Sequence, residues 1–290
     1  MKPSCQHQPN GGRVTMSSTL NILSTNAKES GIKQTAGQTM QSLRLLAHLG
    51  PRIQCITNPV AMDFSADILL AVGAQTSMTM GMDEIAEFVT SADCLSVNTG
   101  TLDSTRRAAI DTAVQTAIDF NKPWVLDPVS VHASSTRRSY AQGLLEFRPS
   151  VIRGNYAEIH ALANDESANA PQKLARQTGA VVVQSGETDL ITDGRRTLLM
   201  TNGSVLQTRV AAMGCASSAL IGGFLAVNPD PFEAAVHALL TIGVAAEESV
   251  KLGTGPGSFK MHLLDCIYNL NEDLLVQRGR IVQCEEVAGS

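Results

Sequence analysis

A chain of 290 residues with a formal net charge of -5 and 17% charged residues offers no basic stripe for nucleic acid. No apolar run reaches the ~18–20 residues of a membrane span, and the stretch holding Lys2 and Arg13 lacks the apolar segment of a secretory signal. Six scattered cysteines, Cys5, Cys55, Cys94, Cys215, Cys266 and Cys284, include no Cys-x-x-Cys pair and point to a reduced, cytoplasmic protein without a zinc site.

Residues 1–33 are polar and aperiodic, which predicts a flexible extension ahead of a single domain over 34–290. Met40, Leu43, Leu45, Leu46 and Leu49 make the apolar face of a helix from about Thr35 to Leu49. A strand at Arg52–Ile56 ends in Thr57-Asn58-Pro59, and Asp63 is expected to cap a helix that Gly73 stops. Thr76–Met80 reads as a strand, Asp83–Thr90 as a helix, Cys94–Asn98 as a buried strand and Ser104–Phe120 as a long helix. The strand Trp124–Leu126 runs straight into Asp127-Pro128.

A helix near Tyr140–Phe147, a strand at Val151–Arg153 and a helix opened by Asn155-x-x-Glu158 continue the alternation. Ala180–Val183 is apolar enough for a strand buried on both faces, and Asp193-Gly194 marks a hairpin between Leu190–Thr192 and Thr197–Met200. Val205–Val210 is β-rich, and helices follow near Cys215–Val227, Pro231–Ser249 and Phe259–Leu275. Alternating strands and helices predict an α/β fold with a mainly parallel sheet covered on both faces. Ligands of such sheets bind beyond the carboxyl ends of the strands, so Asn58, Asn98, Asp127, Arg153, Ser185 and the 211–215 turn are expected along one edge.

Each of these residues has a bland reading and a chemical one. The turn before the helix at Gly214 either lets that helix pack closely or offers free amides to a phosphate. Asp127 is a cap or a metal ligand, and Glu158 is a first-turn charge or its companion. Arg153 makes a surface ion pair or a bidentate phosphate contact. Ser185-Gly186-Glu187-Thr188-Asp189 is a hairpin entry or a source of a hydroxyl, a flexible glycine and two acids, and Met78, Met80 and Met82 pack the core or contact a ligand. His132 reads as a loop histidine, and no nucleophile elbow, dinucleotide fingerprint or P-loop is present.

Eight short motifs occur in order: Ile56-Thr57-Asn58-Pro59-Val60, Leu70-Ala71-Val72-Gly73-Ala74, Asn98-Thr99-Gly100-Thr101-Leu102, Leu126-Asp127-Pro128-Val129, Ile152-Arg153-Gly154-Asn155 with Glu158, Ser185-Gly186-Glu187-x-Asp189, Met213-Gly214-Cys215, and Gly255-Pro256-Gly257-Ser258-Phe259. The series, over about residues 35–275, resembles the hydroxyethylthiazole kinases. These are ribokinase-like enzymes of thiamine biosynthesis and salvage. The resemblance implies a three-layer sandwich and ATP-dependent phosphorylation of the hydroxyl of 4-methyl-5-(2-hydroxyethyl)thiazole with Mg2+, in a homotrimer. Carried over by position, it implies that Arg153 and Ser185 contact ATP and that Asp127 and Glu158 organise the metal. Met78, Ala212 and Asn58 would line the thiazole pocket, and Gly214 and Cys215 would stand at the transferring phosphate.

Three places depart from the family pattern. Ala211-Ala212-Met213-Gly214-Cys215 replaces Thr-Gly-Thr-Gly-Cys, Ser130-Val131-His132 replaces Gly-Ala-Gly, and Thr76-Ser77-Met78 replaces Pro-Val-Met. If position 212 needs positive φ, its alanine costs ~1–2 kcal/mol. Two further readings follow from these changes: a catalytically weakened relative that binds nucleotide or a thiamine-like ligand, and a kinase for another small alcohol.

Overall fold

The computed structural model describes residues 16–284, with side-chain surroundings from residue 30 onward. The chain runs α1 (Met16–Leu49), β1 (Arg52–Ile56), α2 (Met62–Ala71), β2 (Gln75–Ser77), α3 (Ile85–Ser91), β3 (Cys94–Asn98), α4 (Ser104–Asp119) and β4 (Trp124–Asp127). It continues with α5 (Ser135–Leu144), β5 (Val151–Asn155), α6 (Tyr156–Ala163), α7 (Ala170–Thr178), β6 (Val181–Ser185), β7 (Asp189–Thr192) and β8 (Thr197–Met200). Last come α8 (Met213–Leu225), α9 (Pro231–Leu252), α10 (Pro256–Tyr268), α11 (Glu272–Arg278) and β9 (Ile281–Cys284).

The strands form one sheet in the order β2-β1-β3-β4-β5-β6-β7-β8-β9. Pairs from β2 to β6 are parallel, and β6 to β9 are antiparallel. Period-two alternation sends successive residues to opposite layers. Val125, Val151 and Val183 pack with Ile68, Phe224, Leu240 and Leu263 from α2, α8, α9 and α10. Their neighbours Leu126, Ile152 and Val182 pack with Ile85, Ile110, Ile159 and Leu174 from α3, α4, α6 and α7. The expected α/β three-layer sandwich is therefore present, with a mainly parallel centre.

Several local expectations differ. Residues 1–15 of the expected extension lie outside the described residues, whereas from Met16 the chain is already in α1. That helix starts upstream of Thr35 because it has something to lean on, Ile32 lying against the turn at Gly279. Asp63 sits in the first turn of α2 and Ala61 takes the cap position. Val205–Arg209 is a 3-10 turn rather than a strand. Ser204 accepts from Leu206 N (3.2 Å) and Gln207 Oε1 accepts from Ser204 N (2.8 Å), while β9 already fills the place beside β8. The helix expected over 259–275 is two, because Asn271 accepts from Leu274 N (3.0 Å) and caps a new start. Neither α7 nor β9 was expected from the pattern.

Gly73 shows what the α2–β2 joint demands. Its φ is +86°, and a Cβ there would lie 2.6 Å from the Cα of Ala47 in α1. Left-handed strain and a backbone clash act together. Gly73→Ala should therefore lower the unfolding free energy by about 2–4 kcal/mol in urea titration, the range of large single-site effects. A loss below about 1 kcal/mol would show that α1 yields easily at this point.

Candidate active site

Parallel strands bring their carboxyl ends to one edge, and register decides which side chains meet there. Asn98 and Asp127 are Cα partners at the ends of β3 and β4. Asn98 Nδ2 donates to Asp127 Oδ2 at 2.6 Å and reaches Cys215 Sγ at 3.2 Å. Asn58, just beyond β1, donates to Asn98 Oδ1 (3.2 Å) and to the same sulfur (3.4 Å). The N–H of Gly100 also donates to Asn98 Oδ1 (2.9 Å). One buried amide thus ties together two strand ends, a loop and the start of α8. Asn98 was expected at this edge, but its position at the hub depends on a side chain from α8 arriving beside it.

Asp127 is 1% exposed, and its Oδ1 has no hydrogen-bond partner. Burial raises its pKa to about 6, opposed by the nearby Arg153 and raised further by Glu158. The hydroxyl of Ser218 donates instead to the Gly214 carbonyl at 3.2 Å. Cys215 is pushed up to about 12, first by burial and then by the Asp127 charge, so the thiol keeps its proton at neutral pH.

At the start of α8, Ala212 holds φ +65° and no side chain caps the helix. The first amides of the helix therefore keep no intrahelical partner and stand at the positive end of its dipole. The Arg153 guanidinium lies across this turn: a Cβ on Gly214 would sit 2.5 Å from its Nη1. A side chain at 214 would push the end of the arginine aside. Arg153 Nε is buried without a partner.

Arg153, Ser185, Met213 and Gly214 share the wall of a cavity of about 740 Å³ that runs on to Val205, Leu239 and Ile242. Ala211 and Ala212 are not part of that wall, so their methyls do not plug it. Ser185 donates to the Gly154 carbonyl at 3.3 Å, which joins the ends of β5 and β6.

Glu158 forms the expected capping box, exchanging bonds with Asn155 at 2.9 Å in both directions. Its second oxygen accepts from Ser130 N at 2.8 Å, which latches the loop after β4 to α6. Ser130 itself has φ +59°. The loop expected to carry His132 does so away from the Asp127–Cys215 cluster, in a shallow cleft with Tyr156 and His160. Met78 is half-buried against the core and enters neither the amide chain nor the cavity wall. Gln54, hidden in an apolar strand, was missed: its Nε2 donates to the Thr79 carbonyl (2.8 Å) and Ser77 donates to its Oε1, which pins the loop carrying Met78. A fully buried amide within β1 was the available signal.

The sequence model of the hydroxyethylthiazole kinase family matches residues 43–273. A hydroxyethylthiazole kinase of Cereibacter sphaeroides is 41% identical over 245 residues, covering 80% of this chain and 93% of that protein. One of Escherichia coli is 38% identical over 254 residues, covering 83% and 97%. The solved hydroxyethylthiazole kinase protein of Pyrococcus horikoshii OT3 superposes with a TM-score of 0.82 at 34% identity, covering 86% of this chain and all of that one. Staphylococcus aureus pyridoxal kinase shares the fold alone, at a TM-score of 0.54 and 16% identity over 69% of this chain. With matches of this identity and coverage, and motifs that meet at a single sheet edge, the chain belongs to the hydroxyethylthiazole kinase family.

Proposed function

We propose that this protein transfers the terminal phosphoryl group of ATP to the hydroxyl of 4-methyl-5-(2-hydroxyethyl)thiazole, as a single kinase domain over 34–290. The observation that carries this reading is Arg153 laid over Gly214, in one cavity with Ser185 and beside the Asp127–Asn98–Cys215 cluster. In phosphoryl transfer most of the catalysis is positioning and charge neutralisation. Arg153 and the α8 amides receive the negative charge as the bond to ADP breaks and the bond to the alcohol oxygen forms. Ser185 helps seat the nucleotide. Cys215 keeps its proton, so it orients the hydroxyl rather than accepting from it; a loose transition state asks little of a base, and the alcohol's proton leaves to the transferred phosphate or to water.

We assign the thiazole to Asn58, Ala212 and Met78, of which Asn58 reaches the Cys215 sulfur at 3.4 Å. The apolar Val60, two residues beyond Asn58, is 68% exposed, which favours a neighbouring copy at this pocket within a homotrimer. The reduced cysteines favour the cytoplasm.

Mg2+ fits the donor set as a hard cation held by few carboxylates and many waters. Among the described residues no group of three or more His, Cys, Asp or Glu could hold a metal, so substrate phosphates would complete the shell. Asp127 has the free buried oxygen, and Glu158 would act through water because each of its oxygens already accepts a backbone N–H. When bound, the cation neutralises charge on the phosphates.

The direct test is ADP formation with and without the thiazole alcohol. Release that depends on the alcohol is expected; nucleotide binding with no transfer would favour the weakened-relative reading, and transfer to another small alcohol alone would favour the third.

Asp127 is expected to cost stability while serving function. Below about pH 4 its carboxyl is protonated in the folded and unfolded chain alike, and above about pH 6 it is ionised in both, so the penalty of the buried charge is complete there. Asp127→Asn, measured without divalent cations, should raise the unfolding free energy at pH 7.5 by about 1–3 kcal/mol, and the gain should fade toward pH 4. Turnover should fall at least ~100-fold. A variant less stable at pH 7.5 would contradict this account.

Ala212→Gly removes left-handed strain of ~1–2 kcal/mol and adds unfolded-state freedom of ~0.5–1 kcal/mol. The urea midpoint should rise, by about 0.5–1 kcal/mol in free energy, with turnover no lower than in the parent.

A further inference from the structure

We propose that this kinase does not read the base of its phosphoryl donor, and that purine and pyrimidine nucleoside triphosphates all serve. The inference rests on the kinase reading and concerns the end of the 740 Å³ cavity away from Arg153 and Gly214. The terminal phosphate belongs at the guanidinium and the α8 amides, so the base belongs at the opposite end, near Val205, Leu239 and Ile242.

Most polar groups at that end are already committed to the protein. Asn202 Nδ2 donates to Glu247 Oε1 (2.9 Å) and to the Arg278 carbonyl (2.7 Å), and its Oδ1 accepts from Arg280 N (2.7 Å). Ser204 Oγ accepts from Leu206 N (3.2 Å), and Thr208 Oγ1 donates to the Val205 carbonyl (2.7 Å). Gly203 N donates to Glu247 Oε1 at 3.0 Å, and Gln207 N to the Ser204 carbonyl at 3.0 Å.

Two donors stand apart. Gln207 accepts from Ser204 N through Oε1 (2.8 Å), which leaves Nε2, and Ser204 Oγ accepts from Leu206 N, which leaves its hydroxyl hydrogen. Every natural base carries ring nitrogens or carbonyls that accept from such donors, so an amide and a rotatable hydroxyl separate them poorly. The cavity wall has no aromatic ring on which a purine would stack better than a pyrimidine. What remains is apolar contact from Val205, Leu239 and Ile242.

Magnitudes decide the consequence. A site built to hydrogen-bond its substrate rejects analogues by ~10⁴–10⁵, whereas an apolar pocket separates near neighbours by only ~10–200-fold. This cavity is of the second kind.

The test is alcohol-dependent phosphoryl transfer by the full chain, with kcat/KM measured for ATP, GTP, ITP, UTP and CTP under one set of conditions. All five should support transfer, with ratios to ATP within about 100-fold. A greater loss for any of the four would overturn the inference and leave the kinase reading standing. Failure of all five, ATP included, would bring down both.

Discussion

The first turn of α8 sets Gly214 so close to the Arg153 guanidinium that a Cβ at 214 would lie 2.5 Å from Nη1 and displace the tip of the arginine. The rest of the site is arranged around this contact. The arginine comes from the middle of the sheet and the glycine from the helix that packs against it. Their approach brings the helix amides and the charge of Arg153 to one cavity wall, with Asp127 and its unpaired oxygen near enough to feel that charge. An unpaired buried charge and an uncapped helix start are each unfavourable in isolation. Together they are the features on which the proposed phosphate and Mg2+ positions rest.

The same region concentrates local strain. Ser130 and Ala212 both hold left-handed φ, +59° and +65°, at positions where the family pattern has glycine. The backbone course has been kept while the residue type has changed. At Ser130 the reason is visible, because its N–H is aimed at Glu158 and binds the β4 loop to the capping box of α6. At Ala212 the left-handed residue turns the chain so that α8 starts with its amides uncapped. Non-glycine residues in this conformation persist where the surroundings over-determine them, and such places cluster at functional sites. Neither side chain is part of the cavity wall, which separates the cost in stability from the question of access.

Much of the architecture was legible because it is local. Short, largely apolar stretches at Cys94–Val97, Trp124–Leu126 and Ala180–Val183 announced strands, the last of them buried on both faces. Asp193-Gly194 announced a hairpin, and Gly194 does take φ +86°. Asn155-x-x-Glu158 announced a capping box. The errors fell where a local preference met a tertiary alternative. Val205–Arg209 has strand-forming residues, yet with β9 beside β8 there is no free edge for it, and Ser204 and Gln207 close a tight turn instead. The short strand β9 carried too little pattern to be seen, since only its partner β8 makes it a strand.

Sequence by itself determined which residues end the strands, where the chain turns, and to which family the ordered motifs are similar. It could not decide that the amide of Asn98 would hold Asp127 with the same nitrogen that reaches Cys215, more than a hundred residues along the chain. Nor could it decide that Glu158 would spend both oxygens on backbone amides while Asp127 kept one free. Such relations depend on strand register and on the depth to which α8 sinks into the sheet, and both follow from packing the whole core. Local propensity acts over a few residues; the distances that make chemistry are set by contacts between distant ones.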